Sequence, residues 1–306
     1  WNVWNDKTQA DTSRLKAMHK IAVDGYLFSL PDSAFYFAQL QYDLAESVNN
    51  KKHMATALNT QGSSSYLKED YSKAIDCFSR SLKIFEGLGY KNGIAKSLNN
   101  IGISYKIQGN DTKAIDYYTR SLKIKKELGD KEGISNSLTN IGISYQNLGD
   151  FAKAIDYYTQ SLKAYEEIGD KKGIAMSLNN IGIIYKEQGD YAKAIDYYTR
   201  SLKIYEETGN KQCIAISLSN IGIIYKEQGD YAKALDYHTR SLKINDEIGY
   251  KTGIAMTLSN IGIIYKNQGY LAKALDYQTR SLKIKEKLGD KKGIADNLSN
   301  IGNIYR

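Results

Sequence analysis

Glycine recurs every forty residues along much of this chain, at Gly102, Gly142, Gly182, Gly222, Gly262 and Gly302. Alanine keeps the same interval at Ala74, Ala114, Ala154, Ala194, Ala234 and Ala274. A fixed period of this length belongs to stacked supersecondary units, each packing only on its neighbours. The stretch from Lys171 to Asn210, KKGIAMSLNNIGIIYKEQGDYAKAIDYYTRSLKIYEETGN, displays one whole unit.

Each unit divides at a Gly-Asp pair such as Gly189-Asp190. Before it, Ile174, Leu178, Ile181 and Tyr185 fall on one stripe of an α-helix; after it, Tyr191, Ala194, Ile195, Tyr198, Leu202 and Tyr205 do the same. Asp190 stands where an N-cap carboxylate accepts from free first-turn amides, and Gly189 and Gly209 stand where helix ends need a left-handed residue. The pattern predicts a helical hairpin, helix A over 172–188 and helix B over 191–208. Gly182 falls inside helix A, at a cost of ~0.5–1 kcal/mol relative to alanine. A close approach of helix B would offset it, with the small Ala194 facing the gap.

Leu178, Ile181, Gly182 and Tyr185 on helix A, then Gly189, Tyr191, Ala194, Tyr198, Ser201 and Leu202, carry a recognisable signature. It resembles the tetratricopeptide repeat family over residues 51–306. The unit here is longer than the family's common form, lacks its closing proline and runs on through Tyr205-Glu206-Glu207, which is similar to the repeats of kinesin light chains and of bacterial regulators. The resemblance implies an all-α, right-handed α-solenoid of helical hairpins. It also implies a non-enzymatic module that holds a peptide or partner segment in a concave groove lined by helix A. The stretch ADTSRLKAMHKIA…PDSAFYFAQLQYDLA ahead of the repeats is similar to sensor regions of bacterial signalling proteins. There, such repeats precede a membrane helix and a nucleotide cyclase or histidine kinase output. Residues 1–306 encode neither activity, and fold does not imply function. A structural scaffold or self-associating spacer is the alternative.

Taken in order, residues 1–50 form a leader and a degenerate capping hairpin. Asp11 or Thr12 would cap its first helix, and Pro31 opens the second. Six full units follow, 51–90, 91–130, 131–170, 171–210, 211–250 and 251–290. Residues 291–306 are helix A of a further repeat. One elongated domain is expected. An uncovered last helix implies that the native protein continues beyond Arg306 with more repeats or an effector domain.

The net charge of +8 invites a nucleic-acid partner, but its distribution argues against one. Residues 171–210 carry six positive and five negative side chains, and Asp196 with Arg200 makes a favourable i, i+4 pair. Cys77 and Cys213 lie in the first and fifth units, too far apart for an intramolecular disulfide, so cysteine usage identifies no compartment. No stretch has the length and apolarity of a membrane span, so no membrane contact is expected.

No catalytic constellation is visible. His19, His53 and His238 are scattered, and His238 replaces a repeat tyrosine as a surface or half-buried aromatic. Neither Cys-x-x-Cys nor His-x-x-x-His occurs, so no metal or cofactor is expected. The binding candidates lie on helix A. Asn100, Asn140, Asn180, Asn220, Asn260 and Asn300 hold equivalent places, with Asn99 and Asn179 beside two of them. Further along come Lys106, Lys186, Lys226 and Lys266, with Gln146 in the odd unit. Amides that donate and accept can hold a peptide backbone whatever its side chains, and the lysines favour an acidic partner or a carboxylate. The same asparagines can instead bond to the neighbouring repeat, and both readings stand on sequence alone. Specificity would reside where helix A varies most: Lys96, Asn136, Met176, Ile216, Met256 and Asp296.

Overall fold

The computed structural model describes residues 2–306, and every regular element among them is helical. The chain begins with α1 (Asn2–Asn5), α2 (Asp11–Lys20), a π-helical continuation (Ile21–Tyr26) and α3 (Pro31–Ser47). Paired helices follow: α4 (Lys51–Leu67) with α5 (Tyr71–Gly87), α6 (Lys91–Ile107) with α7 (Asp111–Leu128), and α8 (Lys131–Asn147) with α9 (Phe151–Ile168). The same plan continues in α10 (Lys171–Glu187) with α11 (Tyr191–Thr208), α12 (Lys211–Glu227) with α13 (Tyr231–Glu247), and α14 (Lys251–Asn267) with α15 (Leu271–Leu288). A single helix, α16 (Lys291–Tyr305), comes last.

The chain divides into two compact units, Trp1–Ala164 and Tyr165–Arg306. When each hairpin touches only its neighbours, no single core ties the whole chain together.

Helix boundaries follow the predicted chemistry. The Asp190 carboxylate accepts from the Lys193 amide at 3.2 Å, and Gly189 and Gly209 adopt φ of 78° and 68°. The Lys193 ammonium also reaches Asp190 at 2.8 Å and lies 4.9 Å from the Tyr185 ring centroid. Tyr185 in turn stacks on Tyr197 of the following helix, centroids 5.5 Å apart. Cap, cation and paired rings therefore lock the turn of the hairpin from both sides. The same set recurs at Asp150, Lys153, Tyr145 and Tyr157, and at Asp230, Lys233, Tyr225 and Tyr237.

Inside the hairpins, a buried serine ties helix B to helix A. Ser201 Oγ donates to the Ala175 carbonyl at 2.8 Å, and Ser81, Ser121, Ser161, Ser241 and Ser281 make the equivalent bond. Leu178, Ile181, Ala194, Tyr198 and Leu202 are buried around it. Each large apolar side chain so buried contributes about 1.5–3 kcal/mol.

Three local expectations are corrected. The gap at Gly182 is filled by the Tyr198 ring, 2.8 Å from where a Cβ would stand, rather than by the Ala194 side chain; only the Ala194 carbonyl comes near, at 3.4 Å. A ring reaches across an interface that a methyl cannot span. The first long helix is capped at Ala10 with no side-chain bond, and Asp11 is already its first helical residue, placed to meet the helix dipole instead. His238 is fully buried, because it takes the place of buried Tyr118, Tyr158 and Tyr198 against the repeat glycine.

Candidate functional site

Successive first helices approach one another, α4 with α6 in one unit and α12 with α14 in the other. One stripe of helix A is left half-buried. On α10 that open stripe is Met176, Asn179, Asn180, Ile183 and Lys186, half-buried residues at i, i+3, i+4, i+7 and i+10. The predicted asparagines all occupy it: Asn99, Asn100, Asn140, Asn179, Asn180, Asn220 and Asn260 are half-buried.

Their hydrogen bonding separates them. Asn220 Nδ2 donates to Asn179 Oδ1 at 3.2 Å, a bond between one repeat and the next. No side-chain hydrogen bond holds Asn99, Asn100, Asn140, Asn180 or Asn260 among the described residues. Inter-repeat bonding thus accounts for one pair and leaves five amides with unused donors and acceptors on a half-wet face.

The lysine row is uneven too. Lys226 pairs with Glu227 at 2.8 Å, whereas Lys106, Lys186 and Lys266 have no ion pair among the described residues. Gln146, in the odd unit, accepts from the buried Tyr158 hydroxyl at 2.9 Å. The matching hydroxyls of Tyr118 and Tyr198, in the units where Lys106 and Lys186 take the Gln146 place, have no partner. Burial, and for Tyr198 the nearby Glu187 charge, pushes the Tyr198 phenol above its ordinary range. The variable row is more open still: Ile216 is 43% and Met256 58% exposed.

Asn100 also lines a cavity that the sequence pattern did not foretell. Its neighbours there include Leu27 and Phe28, from the chain ahead of the repeats, with Tyr66 and Ile103. Phe28 is 83% exposed, and its only sequence signal is a large aromatic in a segment without the repeat's register.

His19, His53 and His238 do not gather, and no group of three metal-ligating side chains forms among the described residues. His238 Nδ1 lies 3.4 Å from Ser219 Oγ, and Nε2 is buried without a partner. Burial first, then the Lys226 charge, pushes its pKa down to about 4. Cys77 and Cys213 are free thiols. No helix among the described residues is long and apolar enough to cross a membrane.

Tetratricopeptide repeat models match residues 53–127, 93–167, 133–207 and 173–247, and a second tetratricopeptide repeat model matches 254–290. Comparison with curated proteins finds no match. Among solved structures, the chain is similar to the STAND signal-transduction ATPase with a tetratricopeptide repeat sensor, PH0952, from Pyrococcus horikoshii. The TM-score is 0.71 at 17% identity, over 97% of this chain and 47% of that one. The apo form of RapI gives a TM-score of 0.70 at 16% identity, over 90% and 99% of the two chains. BtubC from P. vanneervenii gives 0.63 at 23% identity, over 72% and 92%. With repeat matches over most of its length, the chain belongs to the tetratricopeptide repeat family and is built as a protein–protein interaction module.

Proposed function

We propose that the open face of the first helices is a docking surface for an extended or helical segment of a protein partner. The row of half-buried asparagine amides without internal partners carries this reading. A peptide backbone offers the donors and acceptors those amides lack, and binding it would replace water with matched bonds. Lys106, Lys186 and Lys266, without carboxylates of their own, favour an acidic segment. The chain would act without catalysis, as the sensor or regulatory part of a larger bacterial signalling protein. The sensor named in the Pyrococcus horikoshii relative supports that placement by likeness of fold.

The test uses the chain as bait in a pull-down beside an Asn180→Ala/Asn260→Ala variant. A partner retained by the wild type and lost by the variant, with melting temperature unchanged, is the expected result. Falling stability with unchanged capture would assign these amides to the fold alone and overturn the groove reading.

A further inference from the structure

A second cavity lies in the N-terminal unit, between the helix ahead of the repeats and the first two A helices. It encloses about 270 Å³, just under the usual size of a small-molecule site. Its charged and titratable lining is His19, Lys52 and Lys96, with Tyr90, and no carboxylate borders it. Asn59, Thr56 and Ser63 add neutral polar groups, and Val23, Leu27 and Phe85 an apolar wall.

The cations there lack answering charge. Lys52 Nζ lies 4.3 Å from the Tyr90 ring centroid and forms no ion pair among the described residues; nor does Lys96. His19 is held below the ordinary histidine range by burial, then by Lys96 and His53, against the weaker opposing pull of Asp24 and Gln41. Asn59 is buried, and its one side-chain bond is acceptance from Ser97 Oγ at 3.2 Å, which leaves its amide N–H groups unspent.

The repeat supplies its own comparison. The equivalent cleft two hundred residues later is lined by Thr252, Met256, Lys285, Asp290 and Asp296. There Asp290 stands for Tyr90 and Asp296 for Lys96, so acids answer the cations. The N-terminal cleft, by contrast, joins positive charge with no bordering carboxylate to a roof of His19, Val23 and Leu27. Lys52 and Lys96 are both exposed, so their ammonium groups are open to an incoming anion.

We propose that this cavity binds an organic anion, its carboxylate or phosphate head among His19, Lys52 and Lys96 and a compact apolar body against Val23, Leu27 and Phe85. The site does not rest on the groove reading. Calorimetric titration of the whole chain at low ionic strength tests it, with phenyl phosphate, benzoate, inorganic phosphate and neutral benzyl alcohol as probes. Binding of at least one aromatic anion, more tightly than of benzyl alcohol, is expected. The better of phenyl phosphate and benzoate identifies the head group.

Lys96→Asp, an exposed position that carries aspartate in the last repeat, should weaken that binding about tenfold or more. Lys203→Met, at an exposed position in the other unit, should leave it unchanged. No binding by either aromatic anion, equal affinity for benzyl alcohol, an unaltered Lys96→Asp variant, or equal loss in Lys203→Met would each overturn the proposal.

Discussion

The Tyr198 ring lies 2.8 Å from the position a Cβ on Gly182 would occupy, so the glycine in the middle of helix A exists for a ring on helix B. Gly102 and Gly142 face Tyr118 and Tyr158 in the same way. Gly182→Ala therefore gains helix propensity of up to ~1 kcal/mol but drives a methyl into a close-packed aromatic, which typically costs ~1–3 kcal/mol. The net effect is destabilising. At Gly302 nothing lies within 4 Å, so Gly302→Ala gains the propensity alone. Thermal melts of the two variants should shift in opposite directions.

The hairpins, their turns and the glycine register were readable from the period, because each depends on local chemistry repeated six times. The partner of Gly182 was not. Ala194 and Tyr198 share one helical stripe, and only the distance between the helices decides which of them reaches the gap. His238 was misplaced for the same reason. Its position is a core position, but histidine reads as polar when seen alone. Leu27 and Phe28, which line the cavity beside Asn100, lie outside the repeat, so the period could not point to them. The asparagine row was legible as a row, whereas its division into bonded Asn179–Asn220 and unbonded members depends on distances between neighbouring repeats.

The acid response of the fold follows from His238. Its pKa stands near 4 when folded, against about 6.5 when unfolded. The unfolded chain therefore binds more protons between those values, and stability rises with pH across that window. The contribution is intact above pH ~6.5 and is lost as pH falls toward 4, at no more than about 1.4 kcal/mol per pH unit. His238→Tyr restores the residue that packs on Gly102, Gly142 and Gly182 in other repeats. Its melting temperature should fall less between pH 7.5 and pH 5 than the wild type's. Parallel curves would show that His238 does not titrate in this way.

Repeat three suggests how to stabilise its neighbour. Gln146 accepts from the Tyr158 hydroxyl, while the Tyr198 hydroxyl, in the unit where Lys186 takes the Gln146 place, is buried without a partner. An unsatisfied buried group costs about 1–3 kcal/mol, and a net hydrogen bond returns about 0.5–1.5 kcal/mol. Lys186→Gln should accordingly raise the unfolding midpoint in denaturant, by roughly 1 kcal/mol of stability. The same substitution removes a groove lysine, so it should weaken capture of an acidic partner while the fold grows firmer. A change in which both fall together would mean that Lys186 packs more usefully than glutamine does.

The Asn179–Asn220 bond gives the sharpest separation of stability from binding. It joins two repeats at 3.2 Å, half in water, where a neutral hydrogen bond contributes about 0.5–1.5 kcal/mol at most. A double-mutant cycle with Asn179→Ala and Asn220→Ala should return a coupling of roughly 0.5 kcal/mol, because each single change already removes the bond. Asn260→Ala, on an amide with no internal partner, should leave stability within about 0.5 kcal/mol of the wild type. If Asn260→Ala nonetheless weakens partner capture as much as Asn220→Ala does, the loss comes from the open face itself. If only the bonded pair matters, the asparagines hold repeat to repeat and the partner docks elsewhere.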